Sequence, residues 1–266
     1  MLTLKLLAVD RAVVAERTHQ TETYLAFKSR EYTTGETIQL EISEPNRFVW
    51  VQLDEALAPS LIYLTGTTWE YPVNLEPEFK RAWSPKIFCG ERHYLRAWLP
   101  QEDEILAYRN LALNPHDHKE DSAAYPHAYA NVETRNDSTF FARNAIDGMI
   151  ANESHGSFPY QSWGINQQQD AQLTIDFGRW VTVDKISLVL RGDYPHDSFW
   201  TSVTLEFSDG ETLVFNPTNQ LDRQFFCFSK KNTTSVTLKE LIKHEDDSPF
   251  PALTEFEVYG VEADEK

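Results

Sequence analysis

Short runs in which large apolar residues alternate with polar ones, each closed by a turn signal, constrain this chain most. Residues 23–27, 36–42, 47–53 and 60–64 show this pattern, and 69–73, 94–99 and 104–108 continue it. The N-terminal residues 1–10 alternate in the same way. Alternation with period two places one set of side chains on each face of an extended strand, and the enrichment in β-branched and aromatic residues suits a pleated, half-buried surface. Thr34-Gly35-Glu36, Glu44-Pro45-Asn46 and Gly66 separate the runs. No stretch shows a helical apolar stripe. Many short strands at close spacing predict an all-β chain, and 266 residues with 41% hydrophobic content suffice for two β-sandwich domains. We place the domains at 1–109 and 110–266.

The second part is organised around residues 140–178. Asp147-Gly148 is a tight turn, since glycine tolerates positive φ and the aspartate can bond its own local backbone. Leu173-Thr174-Ile175-Asp176-Phe177-Gly178 reads as a half-buried strand, with an irregular loop and Trp163 before it. Further strands are expected at 181–190, 202–210, 211–215, 235–241 and 252–260, with only short helical turns near 140–145. The order of four features carries a resemblance: Ala145-Ile146-Asp147-Gly148, Trp163 after a loop, Ile175-Asp176-Phe177-Gly178, and the strand ending Ser208-Asp209-Gly210. It resembles the discoidin, or coagulation-factor C-type, domains and the family 32 carbohydrate-binding modules over residues 110–260. The resemblance implies a galactose-binding-like jelly roll with its two ends together, and a carbohydrate ligand. It also implies a structural calcium ion, held by the aspartate of the turn and the first glutamate of the closing strand. Those positions are Asp147 and Glu255, with Asn152 where the family often has threonine. In the other outcome Asp147 only caps its turn.

Two loops, 152–163 and 191–200, connect strands of that sandwich and so can meet at one end of it. A sugar has an apolar C–H face and a rim of hydroxyls, which calls for an aromatic platform beside donors and acceptors of fixed geometry. Arg191, Asp193, Asp197, His155 and His196 are the candidate polar groups, with Tyr160, Phe199 or Trp200 as platform. Arg191 could instead pair with Asp193. A carbohydrate-active enzyme is the alternative, with His155, His196, Glu153 and Asp197 as acids and bases. No Gly-x-Ser-x-Gly elbow, phosphate-cradling loop or His-Glu-x-x-His occurs, so recognition is favoured over catalysis. A protein–protein scaffold through the first domain is the third class.

The formal net charge of −17 argues against nucleic acid and anionic membrane as partners. No run approaches the roughly 20 apolar residues of a membrane span, and residues 1–10 lack the pattern of a secretion signal, which points to the cytoplasm. The oligomeric state is left open. Cys89 and Cys227, flanked by apolar residues, are expected as buried free thiols. His116-Asp117-His118 is expected on a solvated linker rather than around a metal. Trp50, Trp69, Trp83 and Trp98 are expected mainly as core.

Overall fold

The computed structural model describes residues 1–263. The first unit has two sheets facing one another. β1 (Leu2–Leu7), β2 (Val13–His19), β4 (Thr37–Ile42) and β7 (Thr68–Pro72) form one, in the order β2-β1-β4-β7. The other takes β3 (Glu22–Phe27), β5 (Arg47–Gln52), β6 (Ser60–Leu64) and β8 (His93–Trp98), with the short β10 (Ala124–Tyr125) on its edge, in the order β10-β6-β5-β8-β3. Alternate side chains of both sheets, among them Leu4, Leu40, Val49, Ile62, Trp69 and Leu95, close one core. Two short helices flank it, α1 (Pro77–Lys80) and α2 (Glu102–Leu106). Residues 104–108, expected as a strand, lie across α2. Its start is a capping box: the Gln101 side chain accepts from the backbone at Glu104, whose carboxylate accepts from the Gln101 amide.

The second unit is built from long, bent strands. β13 (Leu173–Leu190) and β16 (Gln224–Lys243) lie side by side with register breaks after Asp176 and Val183. The first part of β13 also pairs with β11 (His127–Ala130), and its later part with β17 (Ala252–Glu262). One strand therefore serves both faces of the sandwich, where the sequence suggested two strands. β12 (Trp163–Gly164) pairs with β17, while β14 (Trp200–Phe207) and β15 (Thr212–Phe215) extend from β16. β9 (Arg109–Asn110) pairs with the end of β17, so the two ends of the unit lie together as the jelly-roll reading requires. Trp163, Phe177, Trp200, Phe256 and Val258 are among the residues filling the core. Residues 138–140 and 142–146 form the expected short turns of 3-10 helix.

The bend of β13 is set at Gly178, whose φ is +66°. A Cβ there would meet the Tyr125 ring at 2.4 Å, so this glycine also lets the edge strand of the first unit pack on the second. The structure corrects sequence expectations at the junction histidines, at both cysteines and at two of the four tryptophans. His116, Asp117 and His118 are buried, not solvated. Leu53 N–H donates to His116 Nε2 (3.1 Å), which leaves the proton on Nδ1 to be donated to Ser60 Oγ (2.7 Å). Asp117 accepts from His127 Nδ1 (2.8 Å) and from the Ala128 amide (2.9 Å). Cys89 and Cys227 are both exposed free thiols, because each falls on the outward side of its segment. Trp69 and Trp83 are core, whereas Trp50 and Trp98 are half-buried and stacked on one another at 5.8 Å.

Candidate functional site

Loops 152–163 and 191–200 do converge, and a single buried cation joins them. Arg191 is 1% exposed. Its Nε donates to Asp193 Oδ1 (2.7 Å), Nη2 to the Ser154 carbonyl (2.6 Å) and Nη1 to Ser162 Oγ (3.2 Å). All three guanidinium nitrogens are thus engaged, and the guanidinium acts as a brace between the loops rather than a contact for solvent-side hydroxyls. Asn152 adds a second brace, its Nδ2 donating to the carbonyls of Leu190 (2.7 Å) and Leu221 (2.8 Å).

Above the brace sits a row of polar and aromatic groups. Asp193 turns its second oxygen, Oδ2, to His155 Nδ1 at 3.0 Å. His155 stacks on His196 with ring centres 4.9 Å apart. His196 Nδ1 donates to the Phe250 carbonyl (2.8 Å), so its Nε2 is the acceptor nitrogen. Burial, and then the Arg191 charge, hold the His196 pKa below the ordinary histidine value and keep the ring neutral. A turn closed by His196 N–H on the Asp193 carbonyl (2.6 Å) carries Tyr194 at its tip. Tyr194 is 73% exposed.

The platform residues separate by burial. Trp200 is 0% exposed and belongs to the core, so it offers no face to a ligand. Phe199 is half-buried, with His244 stacked on it at 4.6 Å. Tyr160 is half-buried and Asp197 exposed. Tyr194 was not among the platform candidates; its place between Asp193 and Pro195, at the tip of a turn, is the signal for an outward ring. The loop 152–163 also leans on the first unit: Phe158 N–H donates to the Arg81 carbonyl at 2.7 Å.

Beneath these loops lie Asp147 and Glu255, both buried. Asp147 accepts from the Met149 amide (2.8 Å) and Gln161 Nε2 (2.8 Å), with Arg143 Nη1 3.6 Å away. Glu255 Oε2 accepts from Gly148 N–H (3.2 Å). Burial, then the charges of Asp147 and Glu257, push the Glu255 pKa well above the usual carboxylate range. Glu255 Oε1 and Gln161 Oε1 are buried with no partner. Two carboxylates and an unpaired amide oxygen suit a hard divalent cation. Arg143 was also missed: it is 1% exposed, and its guanidinium lies 4.5 Å over Trp83 of the first unit. Among the described residues no three His, Cys, Asp or Glu side chains are grouped to hold a metal, at His116-Asp117-His118 or elsewhere. None of the described helices is long and apolar enough to cross a membrane.

No family model matches the chain, and no curated protein matches it. Among solved structures it is similar to chitosan-binding module 1 of a chitosanase/glucanase from a Paenibacillus species, with 19% identity and a TM-score of 0.40 over 57% of this chain and 98% of that one. It is similar to the family 32 module of NanJ from C. perfringens in complex with galactose, at 18% identity and a TM-score of 0.38, covering 50% and 91% of the two chains. A fucose-binding module from Streptococcus pneumoniae aligns at 15% identity and a TM-score of 0.40, covering 57% and 98%. These neighbours are carbohydrate-binding modules, and the likeness is one of fold.

Proposed function

We propose that the chain recognises carbohydrate, without catalysis, at the loop end of its second sandwich. One observation carries this: an exposed aromatic ring, Tyr194, sits beside the hydrogen-bonded pair His155–Asp193 on a turn anchored by buried Arg191. The Tyr194 ring supplies an apolar face. His155, Asp193 and the acceptor nitrogen of His196 supply acceptors for ring hydroxyls, which donate. Arg191 positions Asp193 and does not reach the ligand. Rigid positioning reduces the ordering cost of binding, which matters for a site with few contacts. The sequence motifs shared with the discoidin and family 32 modules support the same reading. The test is titration of the full-length protein with mono- and oligosaccharides, observed by NMR, for wild type, Tyr194→Ala and His155→Ala. Shifts at 193–196 that vanish in both variants support the site. A saccharide chemically altered during the titration would replace recognition with catalysis.

The same unit is proposed to hold a structural calcium ion through Asp147, Glu255 and the Gln161 side-chain oxygen. The supporting observation is the pair of unpartnered buried oxygens, Glu255 Oε1 and Gln161 Oε1. When bound, the ion would balance the two carboxylates and tie the turn after Ile146 to the closing strand β17. Asn152, the third position the resemblance implies, also holds the Leu190 and Leu221 carbonyls through its nitrogen.

A further inference from the structure

A large cavity lies between the two units, and none of residues 152–163 or 191–200 lines it. Its volume is about 1050 Å³, the upper end of the range for small-ligand sites. Phe48 and Asn46 of the first unit form one wall, Ile105 and Leu106 of α2 lie along it, and Trp180 and Asn232 of the second unit face in from the other side.

The arginines in this cleft are already matched. Arg179 donates through Nε and Nη2 to Glu262 (2.7 and 2.8 Å) and through Nη1 to the Phe177 carbonyl (2.7 Å), while its guanidinium lies 4.6 Å over the Phe48 ring. Arg47 pairs with Glu44. An incoming anion would have to break one of these pairs or compete for the Met1 ammonium, which donates to Ser43 Oγ (3.1 Å) and acts on the Glu44 charge. The unengaged groups are neutral. Trp180 is 57% exposed, and its indole has no ring or hydrogen-bond partner among the described residues. Asn232 Oδ1 accepts from Thr182 Oγ1 (2.7 Å), which leaves its Nδ2 as an unengaged donor. The Asn46 amide, held at a turn with φ of +57°, is unengaged among the described residues too.

A bare indole face flanked by amide groups, with the side-chain cations neutralised, fits a ligand that has flat apolar ring faces, hydroxyls at the rim and no charge. We propose that the cleft is a second binding site, for a neutral oligosaccharide segment, with Trp180 as its platform and Asn232 and Asn46 as its hydrogen-bonding groups. The site spans both units, so the ligand ties them together, and it is independent of the loop-end site.

The test uses the ¹⁵N-labelled full chain, with the Trp180 indole resonance assigned by Trp180→Phe. Cellotetraose, maltotetraose and a β-galactotetraose are the probes. Saturable movement of the Trp180 indole is expected with at least one of them, together with Asn232. Trp180→Ala and Asn232→Ala should each weaken that binding at least tenfold. Tyr194→Ala should remove loop-end shifts while the Trp180 response remains, which separates the two sites. Circular dichroism and melting of each variant check that it is folded. A Trp180 indole unmoved by every probe would overturn the proposal, as would cleft shifts that survive Trp180→Ala in a folded protein. Tighter binding of a tetragalacturonate than of the neutral probes would overturn the ligand class. A concentration-dependent dimer abolished by Trp180→Ala would assign the cleft to a second copy of the chain.

Discussion

Acid should destabilise this protein through the histidines buried at its junction, and His118 gives the cleanest measurement. Burial, and then the Arg143 charge, push its pKa down to about 3, and its ring packs against Tyr71 at 4.2 Å. The unfolded chain returns it to about 6.5. A folded pKa below the unfolded one means that unfolding takes up a proton below pH 6.5, so stability falls as pH falls from there towards 3. At pH 5 the loss relative to pH 8 is about 2 kcal/mol for this one group. His116, also pushed down to about 3, adds a similar loss. Asp147 and Glu255, whose burial raises their pKa values, work in the opposite direction, so the wild-type profile alone mixes the terms. His118→Phe isolates the one group, replacing the imidazole with a ring of similar size that cannot titrate. Urea unfolding followed by circular dichroism at pH 8, 6.5 and 5 should show the variant gaining about 2 kcal/mol on wild type between the extremes. A difference that stays constant with pH would refute the reasoning, as would an imidazole that titrates near 6.5 in the folded protein by NMR.

Three further outcomes follow from the same geometry. Removing divalent ions with EDTA should lower the Tm and calcium should restore it, with affinity rising with pH because Glu255 must give up its proton; Glu255→Gln should abolish the response. An unchanged Tm, with no metal in the purified protein, would remove the calcium proposal. Arg191→Ala should cost about 3–5 kcal/mol in denaturant unfolding, since it strands Asp193 and the Ser154 carbonyl, and a loss below 1 kcal/mol would contradict its role as a brace. Gly178→Ala should destabilise through the left-handed φ and the Tyr125 contact, at about 1–2 kcal/mol for the backbone alone; adding Tyr125→Ala should relieve only the contact, and full additivity of the two changes would refute the clash.

The strands whose two faces see different surroundings were legible in the sequence, because a half-buried sheet writes its period into the chain. β2 was not, since Val13–His19 is exposed along almost its whole length and carries no alternation. Residues 104–108 misled because Ile105 and Leu106 are apolar; the Gln-x-x-Glu cap at Gln101 and Glu104 was the local clue. The junction histidines were hidden by their polar neighbours. The tertiary partners Leu53 and Ser60, more than fifty residues away, satisfy the His116 ring, while His118 is buried against Tyr71 with its Nε2 unpartnered. At the candidate site, residue types pointed to two loops that do meet, but not to the side each ring or charge would face. Arg191 and Trp200 turn inward, Tyr194 turns outward, and that division depends on how the two loops pack.

The loop-end site is tested most directly by titrating the intact protein with a panel of neutral mono- and oligosaccharides while observing the backbone and side-chain resonances of His155, Asp193, Tyr194 and His196. A site with one aromatic face and a few hydrogen bonds should give a Kd on the order of 0.1 to 1 mM, or about −4 to −5.5 kcal/mol. The expected result is a saturable shift at these four residues that is lost in Tyr194→Ala, with the fold intact by circular dichroism. No shift at any of the four with any saccharide, or a shift that persists in Tyr194→Ala and His155→Ala, would contradict carbohydrate recognition at the loop end.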